Sequence, residues 1–143
     1  MDSVLSYKQQ VLDALKGEHA AILAQVREQE AVLEAVWQEY RDCNEEFRQR
    51  KAEGITITDA MFYQNGLRVL ERDIQRETDK LEELKKQEEA KRQEVVDAKI
   101  DTSSIEKLKE HKLEDYNKEV QKAEESFIDE FVSSARARAR IGA

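Results

Sequence analysis

Residues 33–74 read LEAVWQEYRDCNEEFRQRKAEGITITDAMFYQNGLRVLERDI, and this stretch decides the fold. Before the Gly54-Ile55-Thr56-Ile57-Thr58-Asp59 segment, the residues Leu33, Val36, Tyr40, Cys43 and Phe47 keep a 4-3 spacing. After it, Leu67, Leu70 and Ile74 resume the same spacing. An apolar repeat of about 3.5 residues is the mark of a helix wound on a partner helix with left-handed supercoiling. A turn between two such runs folds the second helix back on the first. Gly54 supplies a helix stop in the left-handed conformation. Thr56 with Asp59 three residues on reads as a capping-box-like start, and Thr58 is a competing cap. The isoleucines of the turn are expected to pack onto the hairpin tip. Asn65-Gly66 lacks flanking period-two alternation, so it reads as a kink or helix break, with residues 59–65 a separate short turn of helix.

Working outward, the first arm extends its seam toward the N-terminus through Leu5, Leu12, Leu15, Ile22 and Val26. Lys8, His19 and Gln29 stand at three positions where that seam expects an apolar side chain. Trp37 falls beside the seam, where its ring can cover the flank while its N–H stays wet. The second arm runs on through Leu81 and Leu84, thins to Ala90 across residues 85–94, and returns at Val95, Ala98 and Ile105. It then continues at Leu113, Tyr116, Val120, Ala123, Phe127 and Phe131. Between Thr102/Ile105 and Leu113/Tyr116 the interval is eleven residues, a stutter that rotates the seam. The segment is either one continuous helix with a polar patch or a helix restarted with Ser103 as its cap.

The expected architecture is all-α, a long antiparallel two-helix coiled-coil hairpin with a longer second helix. It forms a single coiled-coil domain over 1–143, with helix 1 about 3–52, the turn and short helix over 53–66, and helix 2 about 67–138. Placing Phe47 across from Leu67 sets Leu5 opposite Lys109 and His19 opposite Val95. The second helix then overhangs after about residue 110.

Composition agrees with this reading. Among 143 residues there is no proline and 39% are charged; average usage would give about 7 prolines, each disrupting a helix interior by roughly 3 kcal/mol. The net charge of −8 argues against nucleic acid as the main ligand. Cys43 is the only cysteine, which fits a reducing compartment. The start MDSVLSYKQQ lacks the basic residues and apolar run of a signal peptide, and no stretch reaches the roughly 20 apolar residues of a membrane span. A cytoplasmic protein is expected.

No arrangement of residues suggests catalysis. His19 and His111 fall far apart in the pairing, Cys43 occupies a seam position, and no glycine-rich phosphate loop or zinc-type spacing occurs. No catalytic residue, metal or cofactor is expected. Arg136, Arg138 and Arg140 form a basic tail with no acid after Glu130; it either opposes the helix dipole or docks on an acidic groove. Leu113, Tyr116, Val120, Phe127, Ile128 and Phe131 form an apolar face with nothing inside the chain to cover it.

These residues carry a resemblance. Ile105-Glu106-Lys107-Leu108-Lys109-Glu110, then Tyr116, then Phe127-Ile128-Asp129-Glu130-Phe131 leading to Arg136, resemble the FliJ family of the bacterial flagellar type III export apparatus. Tyr63-x3-Leu67-x2-Leu70-x3-Ile74 after the glycine-led turn is a second match. One departure is Ser126-Phe127, where the family more often carries polar, Gln- or Lys-like residues. The resemblance implies a non-enzymatic coupling rod similar to the central stalk of rotary ATPases. It implies three partners: the export ATPase hexamer, the cytoplasmic domain of the export gate, and export chaperones. It also implies a location at the inner face of the cell membrane, reached through the export apparatus without direct membrane insertion. On this analogy Tyr40, Phe47, Tyr63, Leu67, Leu70 and Ile74 at the tip would meet the gate. Leu113, Tyr116, Val120, Phe127, Phe131, Arg136, Arg138 and Arg140 in the tail would enter the ATPase ring. Two alternatives stand beside it: a self-associating structural coiled coil, and the equivalent stalk protein of a virulence secretion system or rotary ATPase.

Overall fold

The computed structural model describes residues 2–142, with side chains to residue 140. Two helices account for nearly all of it: α1, Asp2–Glu53, of 52 residues, and α2, Ile57–Gly142, of 86 residues. They pack against each other in antiparallel fashion, and the second is the longer, as the unequal apolar runs require. Among the described residues there is no strand.

The turn shows why α1 stops and α2 starts where they do. Gly54 has φ of 100°, a conformation that a side chain would oppose. Thr56 is the N-cap of α2: its Oγ1 accepts a hydrogen bond from the Asp59 N–H at 3.1 Å. Its carbonyl accepts the first helical bond, from the Ala60 N–H at 2.9 Å. Thr58 therefore lies inside the first turn. Ile55 is half-buried, but Ile57 is 81% exposed, so only one turn isoleucine packs as expected.

Asn65-Gly66 is not a break. Helix α2 passes through it without interruption, having begun ten residues before the expected start of the second arm. A Cβ at Gly66 would lie 3.9 Å from Cys43 Sγ, so the glycine sits in the seam at ordinary packing distance. Because α2 begins at Ile57, the residue facing Phe47 is Tyr63 instead of Leu67. Phe47 stacks on Tyr63, with centroids 5.2 Å apart and planes 6° from parallel. The pairing thus differs from the expected one by about one helical turn. His19 meets Glu88, not Val95, and Lys109 reaches Asp2, not Leu5.

Contacts divide the chain into two compact units. One is Val11–Ala98; the other holds the chain up to Gln10 together with Lys99 onward. In the first, every expected seam position of α1 from Leu12 to Phe47 is buried or half-buried. Its apolar core is thin: Val26, Phe47, Tyr63, Ile74, Leu81 and Val95 are each 6–9% exposed. Trp37, 39% exposed, lies edge-on to Tyr40 at 5.8 Å, covering the flank of the seam as expected.

In the second unit, Leu5 and Ile105 are half-buried and Thr102 is 4% exposed. Lys8 Nζ binds Asp101 Oδ2 at 2.5 Å. The Thr102 hydroxyl donates to the Lys8 carbonyl at 3.5 Å. Asp2 and Lys109 pair at 2.5 Å, a contact that holds the Asp2 carboxyl below the usual carboxylate range. Helix α2 does not restart at Ser103. Instead the Ser104 hydroxyl donates to the Ile100 carbonyl one turn back, at 2.9 Å. All described side chains from 106 to 140 are exposed.

Candidate partner-binding surfaces

Three polar residues of α1 interrupt its apolar seam, and each finds a polar partner on α2. Lys8 pairs with Asp101. His19 Nε2 lies 2.9 Å from Glu88 Oε1. Gln29 Nε2 donates to Glu77 Oε2 at 2.6 Å and to the Glu77 carbonyl at 3.0 Å. Glu77 is 7% exposed, and Gln29 together with Lys80 and Arg76 holds its carboxyl below the usual range against the opposing effect of burial. The sequence displayed the α1 half of each pair. Two of the α2 halves were missed because an acidic residue at a seam position looks like any other charge on a solvated face. The signal was the spacing: Glu77 and Glu88 sit on the same 4-3 repeat as Ile74, Leu81 and Leu84, whereas Asp101 lies off it and had no such signal.

The six expected tip residues all lie on the seam. Phe47, Tyr63 and Ile74 are buried, and Tyr40, Leu67 and Leu70 are half-buried. Tyr63 donates its hydroxyl to Glu46 Oε1 at 2.9 Å, and the Lys51 ammonium sits 4.1 Å from the Phe47 ring centroid. These groups hold the two helices together at the tip. What they leave outward is a different set: Ile57 at 81%, Met61 at 56%, Phe62 at 75% and Val69 at 53% exposure. A seam spacing cannot reveal these residues, because they are defined by lying off it.

The eight expected tail residues lie on α2 and are all exposed, although Leu113 and Tyr116 border the start of α1 at Asp2. Phe127, Glu130, Phe131, Ser134, Ala135 and Arg138 line an open groove, and Val120, Ala123, Glu124, Phe127 and Ile128 line a second. Burying one large apolar side chain contributes roughly 1.5–3 kcal/mol, so a face of this kind favours a covering partner. Cys43 is half-buried, and burial pushes its thiol pKa up, which disfavours the thiolate. Among the described residues, no group of three or more His, Cys, Asp or Glu is placed to hold a metal ion. Among them, too, no helix is long and apolar enough to cross a membrane.

The chain matches a family model, that of the flagellar FliJ protein, over residues 1–140. The chain belongs to the FliJ family. No curated protein and no solved structure matches it individually. FliJ membership makes the chain a component of the flagellar export apparatus. As a FliJ protein it is a coiled coil in which no catalytic feature is found among the described residues.

Proposed function

We propose that the chain is a non-enzymatic coupling component of flagellar protein export. The α2 tail enters the ring of the export ATPase, promotes its assembly and activity, and links it to the export gate and to export chaperones. The observation that carries this reading is the continuous exposed face from Leu113 to Phe131, followed by Arg136, Arg138 and Arg140, which α1 borders only at its beginning, where Asp2 and Leu5 flank Leu113. A single helix that is apolar on one face suits insertion into a groove between subunits. A lone asymmetric helix in a six-fold ring touches the subunits unequally and so biases their nucleotide states. The protein would thereby lie at the inner face of the membrane through its partners.

The gate is assigned to the tip. There Phe47, Tyr63 and Ile74 set the shape, Tyr40, Leu67 and Leu70 offer edges, and Ile57, Met61, Phe62 and Val69 offer open apolar surface. Deleting residues 113–143 should abolish stimulation of the ATPase while gate binding persists. Phe62→Ala with Val69→Ala should do the reverse. Full stimulation by the truncated chain would refute insertion by the tail.

A further inference from the structure

The end of the tail is polarised in two ways at once. Residues 123–130 carry Glu124, Glu125, Asp129 and Glu130 and no base, and residues 131–140 carry Arg136, Arg138 and Arg140 and no acid. Side-chain size divides at nearly the same point, with Phe127, Ile128 and Phe131 before it and Ser134, Ala135 and Ala139 after it. With 3.6 residues per turn, each residue advances by about 100° around the helix. Glu124, Phe127, Ile128, Phe131, Ala135 and Arg138 then share one arc of about 100°. Phe127 is 70% exposed and Phe131 66%, so this arc meets no neighbour in its own chain.

We propose that this face pairs with the same face of a second copy, antiparallel, about a two-fold axis at Phe131. That operation brings Glu124 opposite the partner's Arg138 and Phe127 opposite the partner's Ala135. Phe131 meets the partner's Phe131, and Glu125 comes near the partner's Arg136. Phe127 is matched with a small residue, the two Phe131 rings meet on the axis, and Glu124 and Glu125 each find an arginine, as a self-complementary isologous interface requires. Opposed helix dipoles add in the same sense. An acidic partner would satisfy only the arginines, and a basic one only the glutamates. The reversed copy satisfies both. The paired segment is about 17 residues, some 25 Å long, which places it at the small, transient end of protein interfaces. The dimer is a concentration-dependent state of the free protein, independent of whether the tail also enters a ring.

Sedimentation velocity of the full chain from about 5 to 200 µM, a range suited to a weak interface, tests this. The wild-type protein should pass from monomer to dimer across it. Glu124→Lys with Glu125→Lys makes both halves basic, and Arg136→Glu with Arg138→Glu makes both acidic. Each variant alone should dimerise at least about ten-fold more weakly, while an equimolar mixture should recover the wild-type affinity, because opposite charges again meet at both ends. All four positions are exposed, so helical circular dichroism should stay that of the wild type. A wild-type chain that stays monomeric throughout, variants that dimerise as the wild type does, or a mixture that fails to recover would each overturn the proposal.

Discussion

Replacing Phe47 with alanine tests how the two helices are held at the turn. Phe47 is 6% exposed, lies 5.2 Å from the Tyr63 ring in parallel planes and carries the Lys51 ammonium over its face. Burial of a side chain of this size is worth about 1.5–3 kcal/mol. An aromatic pair adds about 0.5–1.5 kcal/mol, and an exposed cation–π contact adds about 0.5–1 kcal/mol. The seam is only two helices wide, so water reaches the vacated space and no closed cavity forms. That places the loss near 3 kcal/mol, at the low end of the usual range for Phe→Ala. With a urea slope of roughly 2 kcal/mol/M, the unfolding midpoint read by circular dichroism should fall by about 1.5 M. Trp37→Ala is the control, because Trp37 is the larger ring but is 39% exposed. If ring size alone governed stability, Trp37→Ala would cost more. A fall below about 0.5 M for Phe47→Ala, or a larger one for Trp37→Ala, would refute the reasoning.

Two glycines should respond with opposite signs. Gly54→Ala forces a side chain onto a backbone with φ of 100° and should destabilise by about 1 kcal/mol or more. Gly66→Ala lies inside a helix at ordinary contact distance from Cys43 and should stabilise by about 0.5–1 kcal/mol; a thermal melt that falls for Gly66→Ala, or rises for Gly54→Ala, would contradict the account of that glycine. Acid should weaken the seam at Glu77. Its carboxyl pKa is lowered in the fold, chiefly by the Gln29 hydrogen bond, so its contribution is present at neutral pH. It is lost as pH falls below the ordinary glutamate value of about 4.3 and through the folded one. Gln29→Leu removes the largest cause, so an NMR titration of the Glu77 carboxyl should move upward in that variant.

The seam of α1 was legible residue by residue, because a 4-3 repeat of Leu, Ile, Val and aromatic side chains has few other physical meanings. The cap at Thr56 and the stop at Gly54 were legible for the same reason, since each answers a specific need of a helix end. The register was not. Asn65-Gly66 carries a local preference for a turn, and that preference moved the expected pairing about one turn along α2. In the fold, packing of Phe47 on Tyr63 overrides it, and the helix runs through the glycine. For the partner surfaces, the tail was legible as an uncovered stripe. The outward tip residues were not, because Ile57, Met61 and Phe62 belong to no repeat and only the folded turn shows that nothing covers them.

The polar pairs have a consequence for sliding. Moving α1 seven residues along α2 would still set aliphatic side chains against one another for most of the Val11–Ala98 unit, so the apolar repeat alone scarcely distinguishes such states. Counted from the Phe47–Tyr63 layer, a slip in one direction carries Glu77 across from Val26, and in the other across from Tyr40. The second move strips Gln29 from that carboxylate and His19 from Glu88, and the first carries Asp101 away from Lys8 to a position across from Asp2. The leucines thus settle that the helices pair, and a handful of hydrophilic residues settle where along their length they stop.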